Sequence, residues 1–151
     1  MIKKILSLLV LFLFLPSIIY ASDFETLTMP KLTEIIAKNK GKVVIINFFA
    51  TWCPPCRIEI PDLVKAHQKY NGKDVVIIGL SIDEDKTKLP PFIKNMNIQY
   101  PIYYASIDIA KAYRVQSIPF NAIYAKDGNL VFSETGILDT EMLKIVFEKL
   151  L

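Results

Sequence analysis

The sequence predicts an α/β domain in which a βαβ unit, a helical insertion and a ββα unit are arranged around a central mixed sheet. Three observations carry that prediction. Two continuous apolar, β-rich runs, "VVIINFFA" at residues 43–50 and "DVVIIGLSI" at residues 74–82, have the composition of strands buried on both faces. Residues 54–70 between them show helical spacing, and strand, helix, strand in that order implies a right-handed crossover and a parallel pair. Further on, "FNAIYAKDGNLVFSE" at residues 120–134 reads as a hairpin, two β-rich runs joined through Asp127 and Gly128, where glycine tolerates positive φ.

From the amino end, "MIKKILSLLVLFLFLPSIIYAS" places Lys3 and Lys4 before an apolar run at residues 5–15, then Pro16 and a small-residue step at Ala21 and Ser22. That order is the order of a secretory signal peptide. The apolar stretch through Tyr20 is broken by Pro16 and falls short of the roughly 20 residues that cross a bilayer comfortably. Ile19 is larger than the residue usual three positions before a cleavage point, so residues 1–21 have two readings, a cleaved signal peptide or an uncleaved amino-terminal anchor. No cysteine follows the run, so a lipid-modified start is not supported. Both readings leave residues 22–151 as one exported, periplasmic domain, and export is the setting in which disulfides persist.

Composition agrees with a single domain: 151 residues, 52% hydrophobic and 22% charged, give a full core with no repeat or low-complexity tract. The formal charge of +3 includes Lys3 and Lys4; without residues 1–21 the balance is 16 Lys and Arg against 15 Asp and Glu. With no basic stripe and no aromatic array on a basic face, nucleic acid is excluded as a partner.

The remaining elements follow in order. "TMPKLTEIIAKNKGK" at residues 28–42 reads as a short helix ended by Gly41. In the helix at residues 54–70, Ile58, Leu63 and Ala66 are the apolar positions and Glu59, Asp62 and Lys65 the polar ones. "EDKTKLPPFIKNMNI" at residues 84–98 and "SIDIAKAYRV" at residues 106–115 supply helical pieces around "QYPIYYA". The last segment, "LDTEMLKIVFEKLL", starts at a capping Asp139 and sets Met142, Leu143, Val146, Phe147 and Leu150 on one face.

The chemistry concentrates in "ATWCPPCR" at residues 50–57, which holds the only two cysteines of the chain. A spacing of three at a helix start puts Cys53 and Cys56 about one turn apart, within the ~4.4 to 6.8 Å Cα separation that a disulfide accepts. Cys53 faces the free N–H groups and positive dipole end of the helix, which stabilise a thiolate, so it is the expected nucleophile. Cys56, one turn inside and more buried, is the expected resolving thiol. Pro54 and Pro55 subtract no hydrogen bond at these early positions and hold the two sulfurs in register. A structural staple closing so short a loop restrains the unfolded chain little. A metal site needs more ligands than two thiols, and the sole histidine, His67, lies eleven residues on and reads as a surface residue. A two-thiolate Cu(I) site stays open as an alternative. Glu59 falls three positions after Cys56 on the same face, where a carboxylate raises the thiol pKa and accepts its proton; the plainer reading is a solvated helix glutamate.

The architecture and the motif together resemble the thioredoxin fold, and more closely the TlpA/ResA-like thiol-disulfide oxidoreductases. The resemblance spans the chain after Ala21 and is carried by "NFFATWCPPCRIEIPDL", "GLSIDED", "AKAYRVQSIP" and "AKDGNLV". It implies a role for Glu59 at the active site and a cis-proline at Pro119, which presents the backbone of Ile118 to an extended substrate and blocks metal capture by the thiols. It also implies that Asn47 stands where cytosolic thioredoxins place a buried aspartate. Asparagine does not titrate, so either proton handling has moved to Glu59 or Asn47 is a buried amide satisfied by backbone groups. Trp52 borders the motif, as a shield for the thiolate, a contact for partners, or plain packing. Phe120 and Asn121 replace the small hydroxyl residues of many relatives and point to a more apolar substrate groove. Asp83, Glu84 and Asp85 read as a solvated loop, and Tyr100, Tyr103 and Tyr104 as ordinary packing.

The expectation is therefore an exported thiol-disulfide oxidoreductase without a bound cofactor, acting on thiol- or disulfide-bearing exported proteins. The resemblance implies the reductant direction, with apocytochrome c thiols as the best-known clients and a membrane dithiol carrier as electron donor. A disulfide oxidant and a Cu(I)-binding chaperone are the alternatives.

Overall fold

In the computed structural model, which describes residues 24–70 and 73–151, the apolar runs become adjacent strands at the centre of a six-stranded mixed sheet. The elements are β1 (Thr26–Leu27), α1 (Met29–Lys38), β2 (Val43–Phe49), α2 (Pro54–Tyr70), β3 (Val75–Ser81), α3 (Leu89–Asn95), β4 (Ile102–Ala105), α4 (Ile107–Ala112), β5 (Phe120–Tyr124), β6 (Leu130–Thr135) and α5 (Thr140–Leu150), with a 3-10 turn at Lys86–Lys88. Their order across the sheet is β1-β4-β3-β2-β5-β6. β2 runs parallel to β3 and antiparallel to β5, β3 runs parallel to β4, and β5 and β6 form the expected hairpin.

Every residue of β2 is buried, as a strand with helices on both faces must be. Alternation divides its side chains. Val43, Ile45 and Phe49 join Cys56, Ile60, Leu63, Leu143 and Phe147 on the face covered by α2 and α5. Val44, Ile46 and Phe48 join Leu32 and Ile109 on the face covered by α1 and α4. Asn47 has the parity of the first set, so the period of the strand delivers one amide into the core beneath α2.

Several expectations are met in detail. Gly128 sits at φ 88° in the hairpin turn, and the Asp139 carboxylate caps α5 by accepting from the Met142 N–H. Gly41 does not end α1 as expected: the helix stops at Lys38 with Asn39 as its cap, and Gly41, at φ 91°, turns the chain into β2 three residues later.

Others are corrected. The middle insertion is not purely helical: "IYYA" forms β4, with Ile102 and Tyr104 buried and Tyr103 half-buried, and the two-residue β1 pairs with it. Both strands are too short for a period to be read. On α2 the polar and apolar assignments at two adjacent positions are exchanged: Ile58 is 67% exposed while Glu59 is fully buried. The helix starts at Pro54, and its sheet-facing stripe runs Cys56, Glu59, Ile60, Leu63. Met142 is exposed, off the buried stripe of Leu143 and Phe147. The leader assigned to residues 1–21 lies outside the described residues, among which no helix is long and apolar enough to cross a membrane.

Candidate active site

β2 delivers the chain to the site and α2 begins it. After Phe49 a short loop is tied down by Asp83, whose oxygens accept from the Thr51 N–H at 3.0 and 3.1 Å, the Thr51 hydroxyl at 2.7 Å and the Ser81 hydroxyl at 2.8 Å. Asp83 is only 8% exposed, so it is a buried strut between the ends of β2 and β3 and not part of a solvated loop; Glu84 and Asp85 are exposed as expected. Arg57 closes the same loop from the helix, its Nε and Nη2 donating to the Thr51 carbonyl at 3.0 and 2.6 Å, with its guanidinium over the Phe92 ring.

Cys53 stands immediately before the first helical residue and Cys56 one turn inside, and the two are joined in a disulfide with a Cα–Cα distance of 5.4 Å. The Cys56 N–H donates to Cys53 Sγ at 3.3 Å, so the first turn of the helix points a donor at the outer sulfur. On reduction that donor and the helix dipole favour charge on Cys53. In the oxidised pair Cys53 keeps 2% of its surface and Cys56 none, so access runs through Cys53. Pro54 is exposed and Pro55 half-buried, both inside the first turn. Trp52 is 65% exposed beside them, which removes core packing as its role.

The Ile118–Pro119 bond is cis. β5 starts directly after it, and Phe120 lies opposite Phe48, so Pro119 falls at the end of the sheet where β2 gives way to the cysteine loop. Ile118 is half-buried and Pro119 buried, and the Pro119 carbonyl accepts from the Gly136 N–H at 3.0 Å.

Behind the cysteines lies the part of the site that sequence reading only half resolved. The Glu59 carboxylate is fully buried and accepts three bonds: from Asn47 Nδ2 at 2.6 Å, from Asn121 Nδ2 at 2.6 Å and from the Leu138 N–H at 2.7 Å. The solvated-glutamate reading is thereby overturned. Burial pushes its pKa up to about 7, against the three donors, which pull it down; the cost of desolvating the charge outweighs them. Asn47 is held by side chains and not by backbone groups, its Nδ2 donating also to Asn121 Oδ1 at 2.9 Å, while its Oδ1 is buried without a partner. Phe120 and Asn121, read from sequence as lining a substrate groove, are both buried: Phe120 packs edge-on against Phe48, and Asn121 belongs to the carboxylate. Asp83 and the Leu138 N–H are site groups the sequence reading does not name, and Asn121 serves the carboxylate instead of the groove. A polar residue inside each of two apolar strands was the available signal, since a buried amide needs partners.

Tyr100 and Tyr104 are buried in the core. Tyr100 meets His67 edge to face at 5.9 Å, which makes the histidine half-buried and not a free surface residue. Burial, with the nearby Glu59 charge second, drives the Tyr100 hydroxyl far above its ordinary range, so it stays neutral. Among the described residues no group of three or more His, Cys, Asp or Glu side chains is placed to hold a metal ion.

Comparison with known proteins places this geometry. The family model described as Redoxin matches residues 18–150. The thiol-disulfide oxidoreductase ResA of Bacillus thuringiensis subsp. konkukian (strain 97-27) is 34% identical over 115 residues, covering 74% of this chain and 65% of that protein. The chain thus spans just under two thirds of the length of such curated relatives. A thiol:disulfide interchange protein of the thioredoxin family from Chlorobium tepidum TLS superposes with a TM-score of 0.70 at 28% identity, over 76% of this chain and 83% of that one. StoA from Bacillus subtilis superposes with a TM-score of 0.62 at 24% identity, over 72% and 84% of the two chains, a likeness of fold.

Proposed function

Since the chain belongs to the Redoxin family, we propose that it is a thiol-disulfide oxidoreductase that reduces disulfides in client proteins through Cys53 and Cys56. The observation that carries this reading is the disulfide at the start of α2, with a donor aimed at Cys53 and a buried carboxylate one turn behind Cys56.

In the reduced protein the Cys53 thiolate attacks one sulfur of a client disulfide, forming a mixed disulfide and expelling a client thiolate. Cys56 then attacks Cys53 Sγ, which breaks the intermolecular bond and releases the second client thiolate. Two electrons have passed to the client, and the Cys53–Cys56 disulfide has formed. Cys56 must lose its proton to attack, and Glu59, with a pKa near 7, takes it. Trp52, Pro54 and the Ile118 backbone beside cis-Pro119 meet the client: the tryptophan offers an exposed aromatic face and the backbone an extended pairing edge.

The leader at residues 1–21 supports export to the periplasm, with cleavage or anchoring as its two outcomes. Family resemblance supports apocytochrome c thiols as a client class and a membrane dithiol carrier as the source of electrons. No step requires a bound cofactor.

The test is an equilibrium redox titration of the purified protein against reference dithiols. A potential near or below about −270 mV supports the reductant direction, whereas one near about −120 mV reverses it to an oxidant. Tight Cu(I) binding with no disulfide formed at any poise would replace both with metal handling.

A further inference from the structure

We infer that Asn121 is a positioning residue that holds the ionised Glu59 carboxylate and ties it to the exposed segment at residues 136–137 beside cis-Pro119, so that proton binding at Glu59 and the placement of that segment are set together. The consequence for catalysis rests on the proton-accepting role proposed for Glu59; the clamp itself rests on geometry.

Asn121 lies directly opposite Asn47 across the β2–β5 ladder, so the two amides share one face and meet in the core. Both protons of the Asn121 amide are used. One bond goes to Glu59 Oε1 at 2.6 Å and one to the Gly136 carbonyl at 2.9 Å, while Asn121 Oδ1 accepts from Asn47 Nδ2. Turning this amide over would set its oxygen against two acceptors, Glu59 Oε1 and the Gly136 carbonyl, so the observed orientation is the one those two acceptors dictate. A small hydroxyl side chain has a single proton and cannot make both bonds.

The same segment is held twice more. The Leu138 N–H donates to Glu59 Oε1 at 2.7 Å, and the Gly136 N–H donates to the Pro119 carbonyl at 3.0 Å. Gly136 adopts φ 147° and, with Ile137, is exposed. The segment therefore runs from the buried carboxylate to the cis-proline that borders the cysteines.

The groups facing Glu59 leave the amides in control. On α2 the buried residue one turn earlier is Cys56, and Tyr100, ahead of β4, brings a neutral hydroxyl, while β2 and β5 contribute Asn47 and Asn121 and the approach to α5 a backbone N–H. Among the described residues neither lysine nor arginine is paired with it. A proton arriving on Glu59 turns an acceptor into a donor facing donors. The buried acceptor of this cluster without a partner is Asn47 Oδ1, which reaches a new donor only if the amides turn.

The experiment is carboxyl 13C NMR on the oxidised full-length protein with labelled glutamate, with the Glu59 signal assigned by its loss in Glu59→Gln. The Glu59 midpoint should fall near 7 in the wild type, and the Gly136 and Leu138 amide shifts should titrate with it. Asn121→Ala should raise the midpoint by about one pH unit, the loss of one hydrogen bond to a charged acceptor, and should uncouple Gly136 from it. Asn121→Thr, which keeps one donor, should shift it less. An unshifted midpoint in folded Asn121→Ala, or wild-type Gly136 and Leu138 amides that ignore the Glu59 titration, would overturn the inference; the second result needs no variant to fold. The pH profile of disulfide exchange in Glu59→Gln separates the two ideas. If it matches the wild type while Asn121→Ala still moves the midpoint, the clamp stands and the proton-acceptor role fails.

Discussion

Two buried carboxylates lie at the same end of the sheet, and they differ in what surrounds them. Asp83 accepts from one backbone N–H and two hydroxyls, all on the loop and strand ends it joins, and its work is to hold Thr51 where the chain turns toward Cys53. Glu59 lies deeper, on the helix that carries the cysteines, and accepts from two amides and one N–H drawn from β2, β5 and the approach to α5. The first is a strut between neighbours. The second is a titrating group whose pKa, pushed up to about 7, lies where a thiol proton can be exchanged. Burial of an acid is thus no sign of chemistry by itself; the nature of its partners and its place relative to the reacting atoms decide.

The comparison makes unequal predictions. Asp83→Ala should be the most damaging to stability, because it orphans the Thr51 N–H and hydroxyl together: a loss of about 4 kcal/mol, read by urea unfolding. If Asp83 is only a strut, the pH profile of exchange in folded protein at low temperature should keep its wild-type shape. Glu59→Gln should act the other way, through pH. The folded-state pKa of Glu59 is raised from 4.5 to about 7, so its stabilising effect is fully present below 4.5 and is lost as pH rises through 7. That amounts to about 3 kcal/mol across the window, and unfolding measured at pH 4 and pH 8 should show the wild type losing it and Glu59→Gln not.

Gly79 tests how tightly the neighbourhood of Glu59 is packed. It lies opposite Asn47 on β3, and a Cβ there would stand 2.3 Å from Ile102 Cδ1 and 3.1 Å from Phe49 Cε1. Gly79→Ala should cost about 2 kcal/mol in thermal or urea unfolding, as Ile102 is forced to move. Trp52→Ala should be smallest in stability, within about 0.5 kcal/mol, because the side chain faces solvent. It should nevertheless slow exchange with a folded protein client several-fold and leave exchange with a small aromatic disulfide unchanged.

Much of this was legible in advance for reasons that differ by element. β2, β3, α2, the hairpin and α5 each carry a long apolar run, a spacing or a turn residue that identifies the element, though not every facing on α2 and α5, where Glu59 is buried and Ile58 and Met142 are exposed. β4 and β1 escaped because strands of four and two residues show no period and draw their stability from neighbours distant in sequence. The cysteines and the helix start were readable because motif chemistry is local, whereas the cis-proline at Pro119 followed from the family resemblance alone. The environment of Glu59 was not, since its partners at positions 47, 121 and 138 come from three separate elements. Asn121 was mistaken for a groove residue for the same reason: its strand parity was visible, but the carboxylate that parity aims it at was not.

The roles of the two cysteines are read out by trapping the mixed disulfide. Cys56→Ser and Cys53→Ser proteins would be incubated with a disulfide-bearing client and the products resolved without reductant. Cys56→Ser should accumulate a covalent adduct through Cys53, and Cys53→Ser should accumulate none. An adduct formed through Cys56, or no adduct in either variant, would contradict those roles.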